Sequence, residues 1–293
     1  MRSLKTIIAE AEQQKIAIGH FNISDLVGLR AIFEAARDFL PQHKTPVIVG
    51  TSEGERDFVG ANEAVILVKS LRERFDYPIF INADHTHSLE KIKEAVEAGY
   101  DAIIFDGSKL PLEENIAATK EAANYIRTHA PETIIEGELG YIGSSSQILK
   151  NIPEGAVFDL AHATKSDEAL RFVQETGVDL FSPAVGNLHG MFANAPNPAL
   201  QIARIQEIKS AVKIPLVLHG GSGVTDSDFV AAIKAGISII HINTEIRLAW
   251  KKGIAEGLAA SMNEVAPYKI LEPSLRNMKA IITARLALFS GIK

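Results

Sequence analysis

Three histidines stand where chemistry is easiest to assemble. They occur in Asn82-Ala83-Asp84-His85, Gly186-Asn187-Leu188-His189-Gly190 and Leu218-His219-Gly220-Gly221-Ser222-Gly223, each at or just beyond a short apolar run that reads as a strand. The 293 residues include no cysteine, so any bound metal must be held by His, Asp or Glu. Three imidazoles with an open fourth position make a catalytic Zn²⁺ centre, which accepts a substrate oxygen and polarises a carbonyl. For any one ring the alternative is an ordinary local hydrogen bond, but three of them at strand ends favour a shared ion.

Carboxylates accompany these rings. Asp84, next to His85, is the candidate general acid/base. Asp106, in Phe105-Asp106-Gly107-Ser108, and Glu138, in Glu136-Gly137-Glu138-Leu139-Gly140, can orient the imidazoles from behind or hold the metal in an alternative position. Asp106 equally suits a cap on the turn that follows it. His20 and His241 also fall near strand ends, where inner hydrogen bonding and substrate contact are both open readings. His43, His129 and His162 occupy helix-end or loop contexts and are expected to face solvent, and His87, two residues past His85, is left out of the metal set. Gly220-Gly221-Ser222-Gly223, followed by a helix start at Asp226, offers N–H groups and a helix dipole to a phosphate. Asn243 and Thr244 can donate to the same phosphate or to a substrate hydroxyl.

Something must bring these segments together. Apolar, β-branched runs at Ile16 to Phe21, Val47 to Gly50, Ile79 to Ala83, Ala102 to Phe105, Thr133 to Glu138, Leu180 to Val185, Leu216 to His219 and Ile237 to Ile242 read as eight strands. Between them, stretches such as Leu26 to Phe39, Ala64 to Arg74, Leu89 to Ala98 and Glu113 to Thr128 carry helical periodicity. Gly99, Gly177 and Gly236 each close a helix ahead of the next strand. The alternation predicts an α/β fold, a (β/α)8 TIM barrel in one domain over residues 1–293, and such barrels need about 250 residues. Barrel chemistry gathers at the C-terminal ends of the strands, where all three histidines fall. Gly143 to Gln147 and Met191 to Pro198 read as long loops on that face. An extra helix, Ser274 to Phe289, is left to pack across the barrel or against another subunit.

Composition narrows the partners. Hydrophobic residues make up 46% and charged residues 23%, enough to bury a core without staples. A net charge of −6, spread along the chain, gives no basic surface for nucleic acid or an anionic membrane. The start of the chain shows no signal-like apolar run, so a cytoplasmic location is expected.

Taken in order, Asn-Ala-Asp84-His85, Phe-Asp106-Gly-Ser-Lys-Leu-Pro-Leu-Glu-Glu-Asn, Glu136-Gly-Glu138-Leu-Gly, Gly-Asn-Leu-His189-Gly and Leu-His219-Gly-Gly-Ser-Gly resemble the class II, metal-dependent fructose-bisphosphate aldolases and their tagatose-bisphosphate relatives. The resemblance runs from Phe21-Asn22 to Leu288-Phe289. It implies Zn²⁺, or another divalent cation, on His85, His189 and His219, with Glu138 and Asp106 at acidic positions associated with the metal and a monovalent cation as a further ion. It implies that Asp84 shuttles the proton at the C4 hydroxyl of a sugar phosphate while the metal stabilises an enediolate of dihydroxyacetone phosphate. Gly190, Gly220, Gly221, Ser222 and Thr244 would cradle the phosphate. Asn22 and Ser52 match substrate-side positions, and Asn243 and Arg247 belong to the same substrate shell. A homodimer or homotetramer is expected.

The chain also departs from the family. His241 stands where relatives usually carry Asn, and Ala193 replaces a lysine near the phosphate. The Gly143 to Leu149 loop lacks its usual acidic residue, and Ala266-Pro267-Tyr268 replaces a C-terminal Asp-x-Arg. Fructose 1,6-bisphosphate is the default substrate. Another ketose phosphate, or a barrel that binds metal and sugar phosphate without turnover, stays open. A Schiff-base mechanism is disfavoured, because no strand ends in lysine and Lys109 lies in a following loop.

Overall fold

The computed structural model describes residues 2–40, 44–143, 146–151, 163–195, 197–260 and 262–292. His43 and His162, with parts of both long loops, therefore lie outside the described residues. The barrel strands are β1 (Ile18–Asn22), β2 (Val47–Thr51), β3 (Ile79–Thr86), β4 (Ala102–Phe105), β5 (Ile134–Leu139), β6 (Leu180–Pro183), β7 (Leu216–Leu218) and β8 (Ile237–Ile242). They pair in parallel and close into a barrel, β8 returning to β1. The helices are α1 (Leu4–Gln14), α2 (Leu26–Phe39), α3 (Glu53–Val59), α4 (Ala61–Phe75), α5 (Leu89–Ala98), α6 (Leu112–His129), α7 (Ser166–Thr176), α8 (Ile202–Val212), α9 (Asp226–Ala235), α10 (Thr244–Ala260), α11 (Pro267–Ile270) and α12 (Glu272–Phe289).

Strand alternation divides the barrel interior into layers. At the N-terminal end each strand turns one apolar residue inward: Ile18, Ile48, Phe80, Ala102, Ile134, Leu180, Val217 and Ile239. Leu4, Ile7, Ile8 and Ala11 of α1 pack against this ring and plug it. Ser3 caps α1, its hydroxyl accepting from the Thr6 N–H, so the plug starts at a defined residue. Because side chains on one face recur every second residue, the next positions up are His20, Gly50, Asn82, Ile104, Glu136, Ser182, His219 and His241. The interior thus changes within one layer from hydrocarbon to mostly polar groups, with Ile104 and Gly50 the exceptions.

Six strands differ from the sequence expectation at their ends. β1 runs from Ile18 to Asn22 rather than from Ile16 to Phe21, β2 runs on to Thr51, β3 runs on to Thr86, β5 is shifted by one residue to Ile134–Leu139, β6 stops at Pro183, and β7 stops at Leu218, just before His219. The extension of β3 carries a bulge: Ala83 pairs with Ile103 but Thr86 with Phe105, so three steps on β3 face two on β4. The long loops after β5 and β6 are not wholly irregular, because Ile148–Leu149 and Met191–Phe192 pair as a small parallel sheet.

The extra helix packs on this same chain. Leu275, Met278, Ile282, Leu286 and Phe289 of α12 are buried, and the Phe289 carbonyl accepts from Ala17 N–H at 3.0 Å, at the foot of β1. Gly253 and Gly257 allow the approach of α10: a Cβ at these positions would come within 2.3 Å of Ser274 and 2.0 Å of the Ile270 carbonyl.

Candidate metal centre

The β3 bulge puts two successive side chains, Asp84 and His85, at the barrel mouth. His85 has φ of 45°, left-handed backbone that non-glycine residues adopt at a cost and that the surrounding structure must hold. Part of that hold is Arg56 of α3, fully buried, which donates to the Asp84 carbonyl at 3.1 Å and to the Thr86 hydroxyl at 3.1 Å.

Ligand atoms of His85, His189 and His219 all lie within 4.8 Å of one another. His85 Nε2 and His219 Nδ1 are 3.1 Å apart. Tetrahedral Zn²⁺ with Zn–N bonds of about 2.05 Å separates its nitrogens by about 3.3 Å. The far ring nitrogens of both histidines are tied to carboxylates: His85 Nδ1 to Asp106 Oδ2 at 2.8 Å, and His219 Nε2 to Glu136 Oε1 at 2.8 Å. This is the carboxylate–histidine arrangement that fixes ring orientation and tautomer in metal sites. His189 Nε2 is buried with no hydrogen-bond partner among the described residues. The donor set therefore fits a divalent ion of the zinc type.

Asp106 and Glu138, expected among the metal residues, sit at the opposite edge of His85. Glu138 Oε2 is 3.7 Å from Nδ1, whereas the nitrogen facing His219 is Nε2. Both carboxylates thus back the ring rather than join the three-histidine cluster, and the alternative position sketched for the metal corresponds to a separate His85, Asp106, Glu138 group. Asp106 also takes the capping role open to it, accepting from Ser108 N–H and hydroxyl at 3.0 and 2.6 Å.

The electrostatics are those of a place built for positive charge. Burial opposes charge on His85, yet Asp84, Asp106 and Glu138 together raise its pKa well above the ordinary value. His219 is raised too, burial being outweighed by Glu136, while burial and its cationic neighbours drive His189 down. Burial opposes ionisation of Asp84 as well, but His85 and His241 hold it well below the carboxylate range. Glu138, crowded by burial and by Asp106, is pushed up to about 8.

The rings open onto a cavity of about 230 Å³ lined by Asn22, Ser52, Asp84, His85, Asp106, His189, Gly190, Gly220, Ser222, His241, Asn243, Thr244 and Arg247. Of the remaining site residues from the sequence, His219, Glu138 and Gly221 are buried behind this lining. Gly221 cannot serve a phosphate through its N–H, because that group already donates to the His241 carbonyl at 3.1 Å. Asn22 Nδ2 bridges Asp84 Oδ2 at 2.9 Å and Glu55 Oε2 at 2.8 Å. Glu55 also accepts from Ser52 N–H at 2.8 Å and from Arg247 Nη2 at 2.7 Å, gathering three expected substrate residues around one buried carboxylate.

Sequence reasoning missed Glu55, Arg56, Asn197 and the supporting role of Glu136. Asn197 Nδ2 donates to the carbonyls of Gly190 and Ser222, both at 2.9 Å, and so ties together the two glycine loops. Lys109, set aside as a loop residue, lines the cavity with its ammonium 5.5 Å over the Tyr141 ring, but it is exposed and stands on no strand. His129, expected in solvent, is exposed at the end of α6.

Comparison with known proteins meets this geometry. The family model "Fructose-bisphosphate aldolase class-II" matches residues 2–292. A fructose-bisphosphate aldolase of Geobacillus stearothermophilus is 35% identical over 99% of this chain and 96% of its own length. A 6-phospho-5-dehydro-2-deoxy-D-gluconate aldolase of Shouchella clausii is 32% identical over 97% and 93%. The crystal structure of the YdjI aldolase from Escherichia coli K12 superposes with a TM-score of 0.81 at 27% identity, covering 99% of this chain and 97% of that one. With its eight-stranded barrel and its histidine cluster at the mouth, the chain belongs to the class II fructose-bisphosphate aldolase family.

Proposed function

We propose that the protein is a Zn²⁺-dependent aldolase that reversibly cleaves a ketose 1,6-bisphosphate, fructose 1,6-bisphosphate by default, into dihydroxyacetone phosphate and an aldehyde such as glyceraldehyde 3-phosphate. The observation that carries it is a buried carboxylate, Asp84, beside three convergent imidazoles at a polar cavity. His85, His189 and His219 would hold the ion. When bound, a divalent cation supplies a Lewis acid that polarises the substrate carbonyl.

The chain's own residues account for the rest. Asn22 fixes one oxygen of Asp84, while Oδ1 has no aligned partner among the described residues. Held ionised, Asp84 is the base that takes the proton from the C4 hydroxyl, so that the C3–C4 bond breaks with its electron pair moving toward the C2 carbonyl, and C3 then takes up a proton from solvent to give dihydroxyacetone phosphate. In the condensation direction it returns that proton. Gly190, Gly220, Ser222, Asn243 and Thr244 form the wall suited to the phosphate nearest the carbonyl, and Arg247 lies on the same lining. His241 in the substrate shell, together with a relative that acts on a deoxygluconate phosphate, supports a second reading in which another ketose phosphate is cleaved.

The test is release of triose phosphate from fructose 1,6-bisphosphate, lost on chelation and restored by Zn²⁺, and indifferent to borohydride. Asp84→Ala is expected to retain metal and lose turnover, and an active Asp84→Ala enzyme would remove that residue from proton transfer. Absence of release from fructose and tagatose 1,6-bisphosphates alike would leave cleavage of another ketose phosphate or a barrel that binds without turnover.

A further inference from the structure

His20 and His241 are register partners on the adjacent strands β1 and β8, so their side chains leave the sheet together on its inner face. Their ring centroids are 3.5 Å apart with an interplanar angle of 3°. Aromatic rings prefer offset or edge-on contact, so a full overlap of this kind is imposed from the rims. On one rim His20 Nε2 meets Asn82 Nδ2 at 3.1 Å. On the other, His241 Nδ1 lies 3.3 Å from Asp84 Oδ1, a close but poorly aligned contact, and His241 Nε2 has no partner among the described residues. The second face of His241 is covered by His219, with centroids 3.9 Å apart. Room for His20 exists because residue 50 is glycine: a Cβ there would stand 2.1 Å from His20 Cε1.

Building on the aldolase reading, we infer that His20 is a positioning residue: seated by Asn82 and by the space over Gly50, it fixes the plane of His241. One nitrogen of His241 then stays beside Asp84, and the other is offered to the substrate hydroxyl next to the bond being broken. His20 does not line the cavity, and the role requires no change in its protonation.

Two variants of similar bulk separate a flat face from mere volume. His20→Phe keeps a ring against His241, whereas His20→Leu does not. With fructose 1,6-bisphosphate, His20→Leu is expected to lower kcat on the order of 10-fold to 100-fold with less change in KM, the scale of a misplaced reacting group. His20→Phe should recover most of that loss, and both variants should bind wild-type levels of metal. In a His241→Ala background, His20→Leu should cost less than about twofold, because its effect passes through His241. Equal losses in the two backgrounds, equal kcat for Phe and Leu, or loss of metal would each overturn the assignment. Crystal structures provide a reading independent of turnover: an unchanged His241 plane in His20→Leu overturns the positioning role even if no ketose phosphate is cleaved, whereas an inactive wild type counts against the aldolase reading alone.

Discussion

At the floor of the barrel Ile18, Ile48, Phe80 and Ile239 meet Leu4, Ile7 and Ile8 of α1, all buried and all hydrocarbon. One layer up, the same strands carry His20, Asn82 and His241, also buried but polar, with Gly50 leaving room between them. The floor lowers the free energy of the fold by roughly 1.5–3 kcal/mol for each large side chain removed from water. The mouth does the reverse. Buried side-chain atoms without a protein partner gather there, on His20, Asn22, Asn82, Asp84, Glu138, Ser182, His189 and His241, and among the described residues Arg56 and Arg204 carry the others. Each such atom costs about 1–3 kcal/mol. Barrels of this kind normally fill their centre with branched aliphatics, so the polar layer makes sense only as an investment in binding. Stability and chemistry are thus separated along the barrel axis by a single two-residue step.

The largest expected effect tests the mouth. His189→Ala should abolish both metal retention, read by elemental analysis, and turnover, while leaving the melting temperature of the chelated protein unchanged or raised, because it removes an unsatisfied buried nitrogen. A large fall in the melting temperature of the chelated variant would mean that the mouth also carries stability, and the separation would fail. The converse variant is Ile8→Ala in the plug. Deleting that side chain should cost about 2–5 kcal/mol of stability by denaturant titration, with metal content and kcat unaltered at temperatures well below unfolding.

Much of this division could be read from the sequence. The eight β-branched runs marked the strands, and the strand-end motifs marked three histidines and Asp84, because alternation and turn glycines are local signals. The supports were not legible. Glu55 receives Asn22 from 33 positions away and Arg247 from 192, and Glu136 meets His219 across 83. No periodicity encodes such pairings, which exist only once the barrel closes. The bulge at Asp84-His85 was hidden for a related reason: it depends on the register with β4, so the strand seemed to end at Ala83. Helix α3, which delivers Glu55 and Arg56, is a seven-residue segment too short for its pattern to stand out.

A smaller effect sharpens the boundary between ligand and support. Glu136→Gln keeps an acceptor for His219 Nε2 but drops the charge, and should weaken metal affinity about tenfold, the low end of the ~10–100-fold cost of losing a supporting partner. Competition with a chelator reads this directly. At saturating metal kcat should stay near the wild-type value, and a kcat collapse at full metal occupancy would place Glu136 in the chemistry instead.

The smallest effect separates the buried mouth from its exposed rim. Lys109 lines the cavity but stands in solvent, where an interaction with an anion is worth roughly 1 kcal/mol or less and is screened by salt. Lys109→Ala is therefore expected to raise KM for a ketose 1,6-bisphosphate by no more than about fivefold at low ionic strength, and by little at 0.5 M salt. A ketose 1-phosphate, lacking the distal anion, should not register the change if Lys109 serves that distal group. An equal rise in KM for both substrates would move Lys109 to the carbonyl-side phosphate. A large, salt-independent drop in kcat would show that the desolvated region of the site extends out to the rim and that the contrast between the two settings is drawn in the wrong place.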